Sequence, residues 1–322
     1  MNELYRLAEA RLNAAGTSTD GMSDQELFHE AITTSDFPLL MGNSLQKRIK
    51  KAYLSYPTTY LPWTTQDKDI PDFRAVKRSR VTANGDFEVV PEGTPYPEMT
   101  AAESQAGYAI KKWGRLIKVT LETLINDDTG EISRQVNAIG SNGAETVNSF
   151  VYDQLKSNPT IYDGKPLFHT DHGNLGTAAA LDADSLIAAL VAMLQQKKEG
   201  SNRAARIIPR YLIVPTPLYP TALKLLAERY IPAEWNEDNA QVFKGIQILH
   251  EPELNDDPDR WYLGADPVSV DTFEVGFLRG TGGNPEVFRK EGFDNDTQLY
   301  KARHVFGGSF LDFRGLYATI PA

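Results

Sequence analysis

Three features of the sequence predict an α+β fold. Residues 60–121 read as extended chain, with Ile117, Val119 and Leu121 alternating against Lys118 and Thr120 at period two. A helical run of 29 residues follows, from Thr129 to Ser157. Beyond it, short apolar strands alternate with helices and then give way to strands separated by glycine turns.

The elements follow in order. Leu4, Leu7, Ala8 and Leu12 have helical spacing, and "GTSTDG" breaks the run. "SDQELFHEAI" opens with a capping-box pattern, Ser23 and Glu26. In "SLQKRIKKAYLSY", Leu45, Ile49, Tyr53 and Leu54 are expected on one face and Lys47, Arg48, Lys50 and Lys51 on the other. That basic face suits either solvent or a neighbouring acidic subunit. "DFRAVKRSRV" and "GDFEVV" predict strands, "VPEGTPYPEMTAAESQ" an exposed tip, and "GYAIKKWGRLIKVTL" the returning strand. The result is a two-stranded projection of about 50 residues, too small to bury a core and in need of a supporting partner.

In the long helix the apolar steps run through Ile132, Val136, Ile139, Gly143, Val147, Phe150 and Gln154, with Asp128 and Glu131 as capping box. Gly140 and Gly143 each cost about 1 kcal/mol inside a helix, so a second backbone is expected to approach there. "DADSLIAALVAMLQQKKEG" is a helix with Asp caps, Lys197 and Lys198 in its last turn and Gly200 beyond. "RYLIVP" is a buried strand, and "TPLYPTALKLLAER" a helix with Thr216 at N-cap and Pro217 at N1. "VFKGIQILHEP", "RWYLGAD" and several later segments read as strands.

Composition excludes several classes. The net charge of -10 argues against sequence-specific nucleic-acid binding, which needs a basic footprint. No cysteine is present, so disulfides, thiolate metal sites and cysteine nucleophiles drop out, as fits a reducing compartment. The polar N-terminus does not read as a secretory signal, and no apolar run is long enough to span a membrane. A soluble intracellular protein is the expectation.

"KPLFHTDHGN" places His169, Asp171 and His172 within four residues of a chain with five histidines. A metal-dependent hydrolase could use these three with a distal His250 or His304. A catalytic zinc needs three protein ligands in defined geometry, however, and here H-x-x-H lies in a loop. The competing reading is structural: Asp171 and Asn174 shape an Asx-type turn, and Gly173 and Gly176 take positive φ. The phosphate-cradling loop, the dinucleotide fingerprint and the nucleophile elbow are all absent. Paired acids such as Asp127–Asp128 and Asp256–Asp257 fall at turns and helix starts. The expectation is no catalytic, cofactor-binding or metal-binding residue.

Six segments, in this order, carry a family likeness: "TTSDFP" (33–38), "VPEGTPYPEMT" (90–100), "GRLIKVTLETLINDDTG" (114–130), "DGKPLFHTDHGNLGT" (163–177), "LIVPTPLYPTAL" (212–223) and "GGSFLDFRGLY" (307–317). From about Thr34 onward the chain resembles tailed-bacteriophage major capsid proteins, most closely the Mu-like major head subunit group. Some members of that group are made fused to a Clp-like prohead protease; for this chain no protease domain is expected.

The resemblance implies the tailed-phage capsid fold. Its parts would be an N-terminal arm (1–60), an E-loop hairpin (61–120), a P-domain spine helix (121–162), an A-domain (163–265) and P-domain return strands (266–322). It implies a non-enzymatic protein that self-assembles as pentamers and hexamers into an icosahedral shell around double-stranded DNA. Implied partners are a scaffold or prohead protease, a portal and decoration proteins. DNA would lie near without tight binding, since surplus acid repels it, and no membrane is involved. The location would be the virion, after assembly in the host cytoplasm. Some relatives join subunits by Lys–Asn isopeptide bonds, for which Lys111 or Lys112 with Asn284 or Asn295 are the candidates. The alternatives are an encapsulin-like shell protein and the hydrolase using His169, Asp171 and His172.

Overall fold

The computed structural model describes residues 3–14, 18–20, 37–84, 89–93, 100–120, 131–177, 179–198, 203–227, 245–292 and 297–319. The helices are α1 (Glu3–Ala14), α2 (Phe37–Ser55), α3 (Glu131–Ser157), α4 (Ala183–Leu194) and α5 (Tyr219–Ala227). The strands are β1 (Thr65–Ile70), β2 (Val76–Asn84), β3 (Thr100–Tyr108), β4 (Lys111–Thr120), β5 (Leu175–Gly176), β6 (Pro209–Val214), β7 (Gln247–His250), β8 (Trp261–Ala265), β9 (Phe273–Leu278), β10 (Glu286–Gly292), β11 (Thr297–Phe310) and β12 (Leu316–Thr319). The chain divides into two compact units. One is Met1–Thr58, Lys111–Val147 and Phe277–Phe306; the other is Thr59–Ile110, Asn148–Gly276 and Gly307–Ala322.

In the first unit β11 lies between β10 and β4, antiparallel to both, with Lys111 opposite Phe306 and Thr120 opposite Thr297. Helix α2 is tied to the sheet through Gln46. Its Nε2 donates to Pro285 O at 3.1 Å, and its Oε1 accepts from Val287 N at 2.8 Å. Ile49 and Tyr53 of α2 are buried, four residues apart on one stripe. Leu54, expected beside them, is 66% exposed, because one residue further turns the side chain about 100° around the helix.

Helix α3 spans 27 residues. Its close approach falls at Gly140, as the sequence suggests: a Cβ there would stand 2.5 Å from Ile49 O and 2.7 Å from Ala52 Cβ. Gly143 is roomier, with Tyr53 Cδ2 at 3.6 Å. The buried stripe departs from the expected one. It runs through Val136, Gly140, Ala144, Val147, Val151, Tyr152 and Leu155, while Phe150 and Gln154 are only half-buried. Gly140 fits under the α2 backbone and Ala144 is buried one turn on, so packing distance sets the phase rather than side-chain size. Residues 128–130 and 21–36, with both expected capping boxes, lie outside the described residues.

In the second unit β2 and β3 form a two-stranded antiparallel hairpin, from Val76 opposite Tyr108 to Asn84 opposite Thr100. The sequence pattern predicts a tip that includes 101–105 and a returning strand over 107–121. Instead Thr100–Tyr108 is the return, and Lys111–Thr120 belongs to the sheet of the first unit. Between Thr100 and Tyr108 "TAAESQAGY" has no β-branched or aromatic residue of the kind that marks strands, and main-chain pairing with β2 overrides that weak propensity. Of "GDFEVV", residues 85–88 lie outside the described residues.

The second unit also holds a mixed five-stranded sheet, in order β5-β12-β8-β6-β7. The β6–β7 and β12–β5 pairs are parallel, and β8 is antiparallel to both its neighbours. Leu186, Ala189 and Met193 of α4 pack on Leu212, Val214, Trp261 and Leu263 of this sheet. Asp182 caps α4 in a capping box with Ser185, as expected of the Asp-rich start. The helix ends at Leu194, so Lys197 and Lys198 lie beyond its last turn. Before α5 a 3₁₀ turn spans Thr216–Leu218, so Thr216 is not the helix cap; its amide donates to Asn255 Oδ1 at 2.9 Å.

Candidate functional site

The histidine loop is a closed hydrogen-bonded knot. His169 is the N-cap of a 3₁₀ turn over Thr170–His172, and its Nδ1 accepts from Asp171 N at 3.1 Å. His172 is buried and stacks on Phe313, ring centroids 4.0 Å apart. Its Nδ1 faces Leu167 O at 3.0 Å and its Nε2 faces Asp163 Oδ2 at 2.6 Å. Both ring nitrogens are thus engaged inside the loop, facing Leu167 and Asp163. Burial would raise the Asp163 carboxyl, but the hydrogen bond from His172 holds it below its ordinary range. Asn174 Nδ2 donates to Leu167 O at 2.9 Å, and Asn174 Oδ1 accepts from His169 N at 3.2 Å.

Two expectations for this loop change. Asp171, expected to shape the turn with Asn174, leaves the capping to His169, and its exposed carboxylate meets Lys165 Nζ at 2.7 Å. Gly173 has positive φ as expected, but Gly176 does not; it is needed because Tyr317 packs against its Cα. Among the other candidates, His250 Nε2 lies 3.0 Å from Thr216 Oγ1, and His304 belongs to the first unit. No group of three or more His, Asp or Glu among the described residues is arranged to hold an ion.

A site the sequence reading missed lies at the base of the β2–β3 hairpin. Arg78 Nε donates to both oxygens of Glu274, at 2.9 and 3.1 Å, and its Nη2 pairs with Asp67 of β1. Tyr108 donates its hydroxyl to Glu274 Oε1. The hydrogen bond to Glu274 holds the Arg78 guanidinium far above its ordinary range. Burial, reinforced by Glu274, pushes the Tyr108 hydroxyl up. One signal was available: Glu274 is the single charge in "TFEVGFL", an otherwise apolar strand.

In the first unit a groove of about 460 Å³ is lined by residues of β4, α3 and β11, among them Trp113, Ile139, Gly143 and His304. Trp113 stacks on Phe306 at 5.2 Å. His304 is 5% exposed among Tyr53, Phe277 and Phe306, and among the described residues only the Gly283 backbone is near enough to engage its ring. Burial lowers its pKa to about 4, only partly opposed by the Gly283 backbone. The unfolded chain protonates this ring near 6.5 and the folded chain only near 4. Stability is therefore full above pH 6.5 and falls between 6.5 and 4, by up to about 3 kcal/mol. Denaturant midpoints of the unassembled chain should follow that curve, and a His304→Phe variant should flatten it.

A second groove, of about 750 Å³, borders the basic face of α2 and is lined by Lys47, Arg48, Lys51, Tyr56, Asn137 and Ser141. Lys111 and Lys112 lie exposed on β4, while Asn284 Nδ2 donates within its own turn to Gly282 O at 3.1 Å; Asn295 lies outside the described residues.

A family model described as "Phage capsid protein" matches residues 103–319, more than half of the chain. Among solved structures, the chain is similar to the mature capsid asymmetric unit of bacteriophage PhiM1, with a TM-score of 0.58 and 11% identity over 83% of this chain and 88% of that one. The capsid structure of cyanophage P-SCSP1u gives a TM-score of 0.56 and 13% identity over 83% and 89%. The capsid of Myoviridae phage XM1 gives 0.53 and 12% over 83% and 92%. No curated protein matches.

Proposed function

This chain belongs to the phage capsid protein family and is a shell-forming major capsid protein, and we propose that it works without catalysis, as a Mu-like head subunit closing into an icosahedral shell. The proposed division is an arm over 1–60, an E-loop over 61–120, a spine helix over 121–162, an A-domain over 163–265 and return strands over 266–322. The observation that carries the reading is the β2–β3 hairpin, a sheet of only two strands that cannot bury enough apolar surface to stand alone. Lodging such a hairpin on a neighbouring copy removes that liability. A passive role is supported by the histidine loop, where His172 is buried and both its ring nitrogens are engaged by Leu167 and Asp163.

Pentamers and hexamers are the proposed building blocks, with a scaffold or prohead protease, a portal and decoration proteins as partners. Assembly would take place in the host cytoplasm, and the finished protein would reside in the virion. Packaged DNA would be held loosely, because the acidic balance of the chain repels phosphate.

Size-exclusion chromatography with negative-stain microscopy of the purified chain tests this. Shells, or rings of five and six copies, are expected. A species that stays monomeric or dimeric as concentration rises, with stoichiometric zinc or iron by metal analysis, would favour the hydrolase instead.

A further inference from the structure

The charge on α2 runs against the charge of the chain. Residues 37–66 hold four cations, Lys47, Arg48, Lys50 and Lys51, and no acid, in a chain whose net charge is -10. Lys47, Lys50 and Lys51 are exposed, while Ile49 and Tyr53 of the same helix are buried. Lys47 lies about one turn from Lys50 and Lys51, and Arg48 about one turn from Lys51, so like charges face each other and weaken the helix that carries them. Elsewhere the fold matches its cations, as Arg78 with Glu274, Arg303 with Glu286 and Arg314 with Asp312. Among the described residues no carboxylate stands within ion-pair distance of Lys47, Lys50 or Lys51.

Beside this face runs the groove of about 750 Å³ between α2 and α3, all of it within the first unit. Lys47, Arg48 and Lys51 line it from α2; Asn137 and Ser141, one turn apart on α3, line the other side. None of the lining residues is acidic, and apart from Ala52, Tyr56 and Pro57 all are polar or charged. The ligand that fits carries closely spaced negative charge and needs no apolar anchor. A protein partner is held mainly by large buried anchors, for which this lining has little place. A nucleic-acid backbone is held by Lys and Arg on its phosphates, with amide and hydroxyl groups fixing position.

We propose that the α2–α3 groove is a backbone site for the duplex DNA that the shell encloses, neutralising about three phosphates without reading sequence. This rests on the shell-forming reading and adds to it a local point of contact on a surface whose overall acidity repels DNA. So few charges bind weakly in one copy, and the many copies of a shell multiply the effect. DNA is thereby steadied without being fixed.

Fluorescence anisotropy of the unassembled full chain with a labelled duplex of about 20 base pairs, read between about 50 and 200 mM salt, tests the site. Affinity should fall with salt at a log–log slope of about -3, and two unrelated sequences should bind within about twofold of each other. The double variant Lys47→Gln with Lys51→Gln should bind about tenfold more weakly at the low-salt end, and its slope should shrink by about two. Lys111→Gln with Lys112→Gln removes the same charge from exposed positions on β4 and should change affinity by less than about twofold. Equal losses in the two variants would mean diffuse attraction and overturn the site. So would an unaltered chain that binds no duplex at about 50 mM salt.

Lysine acetylation of the unaltered chain, mapped by mass spectrometry, gives an answer that does not depend on how a variant folds. Duplex should slow modification of Lys47, Lys50 and Lys51 by about threefold or more and leave Lys111 and Lys112 unchanged. No protection on α2 would rule the groove out. Polyglutamate protecting the same lysines at a lower concentration than duplex would replace DNA by an acidic protein segment. A chain that forms shells yet binds no duplex loses this site alone and keeps the capsid reading.

Discussion

Replacing Arg78 by methionine is expected to cost the unassembled chain about 3 kcal/mol, the low end for breaking a buried ion pair because the guanidinium is partly exposed. Methionine keeps the length of the side chain, so the loss is charge and hydrogen bonding rather than volume. Glu274 is 7% exposed, and without Arg78 the Tyr108 hydroxyl, which carries no charge, remains beside it. Desolvating a carboxylate without a counter-charge is what makes the single change severe. The double variant Arg78→Met with Glu274→Met should lose clearly less than the sum of the two single changes, since the second removes the stranded charge. Urea midpoints of the four chains measure this directly, and strict additivity would show that the pair is not coupled. Because Arg78 sits on β2, Tyr108 on β3 and Asp67 on β1, exchange of the hairpin amides should accelerate along with the loss.

Gly140→Val should be nearly as damaging, by about 3 kcal/mol, because the first atom added already collides with the Ile49 carbonyl and the Ala52 methyl. Neither neighbour can yield cheaply: one is helix backbone and the other has no torsion to turn. Gly143→Ala, three residues on, is the control. Its new methyl would meet Tyr53 Cδ2 at 3.6 Å and Pro285 Cγ at 3.8 Å, ordinary contact distances. There the helix should gain up to about 1 kcal/mol from reduced backbone freedom in the unfolded chain. Thermal unfolding of both variants separates the two glycines, and equal destabilisation would mean that α2 does not press on α3 at residue 140.

Those two glycines show where sequence reasoning reaches its limit. That glycine inside a long helix marks a close approach follows from propensity alone, but both looked equivalent. Only the position of α2 distinguishes them. The stripe of α3 behaves the same way: the period was legible, while its phase past Val136 was not. Phe150 is larger and more apolar than Ala144, yet the small residue is the one buried. In the histidine loop the polar-loop reading was legible from Asp171, Asn174 and Gly173. The roles were not, because His172 depends on Asp163, nine residues earlier, and on the ring of Phe313.

By itself the sequence determined whatever depends on neighbours within a few residues: the helices α1, α2, α3 and α4, the Asp182 cap, the glycine turns before β10, the absence of thiol chemistry and the acidic balance. Those features arise from local hydrogen bonding, side-chain period and composition, which need no partner from afar. The tertiary structure alone decided which strand lies beside which. Thr100–Tyr108 has poor strand propensity and Lys111–Thr120 has good propensity, yet the weaker segment closes the hairpin while the stronger one crosses to β11. Main-chain hydrogen bonds are nearly indifferent to side chains, so pairing is settled by how the chain is routed. The Arg78–Glu274 pair, 196 residues apart in sequence, exists only because of that routing.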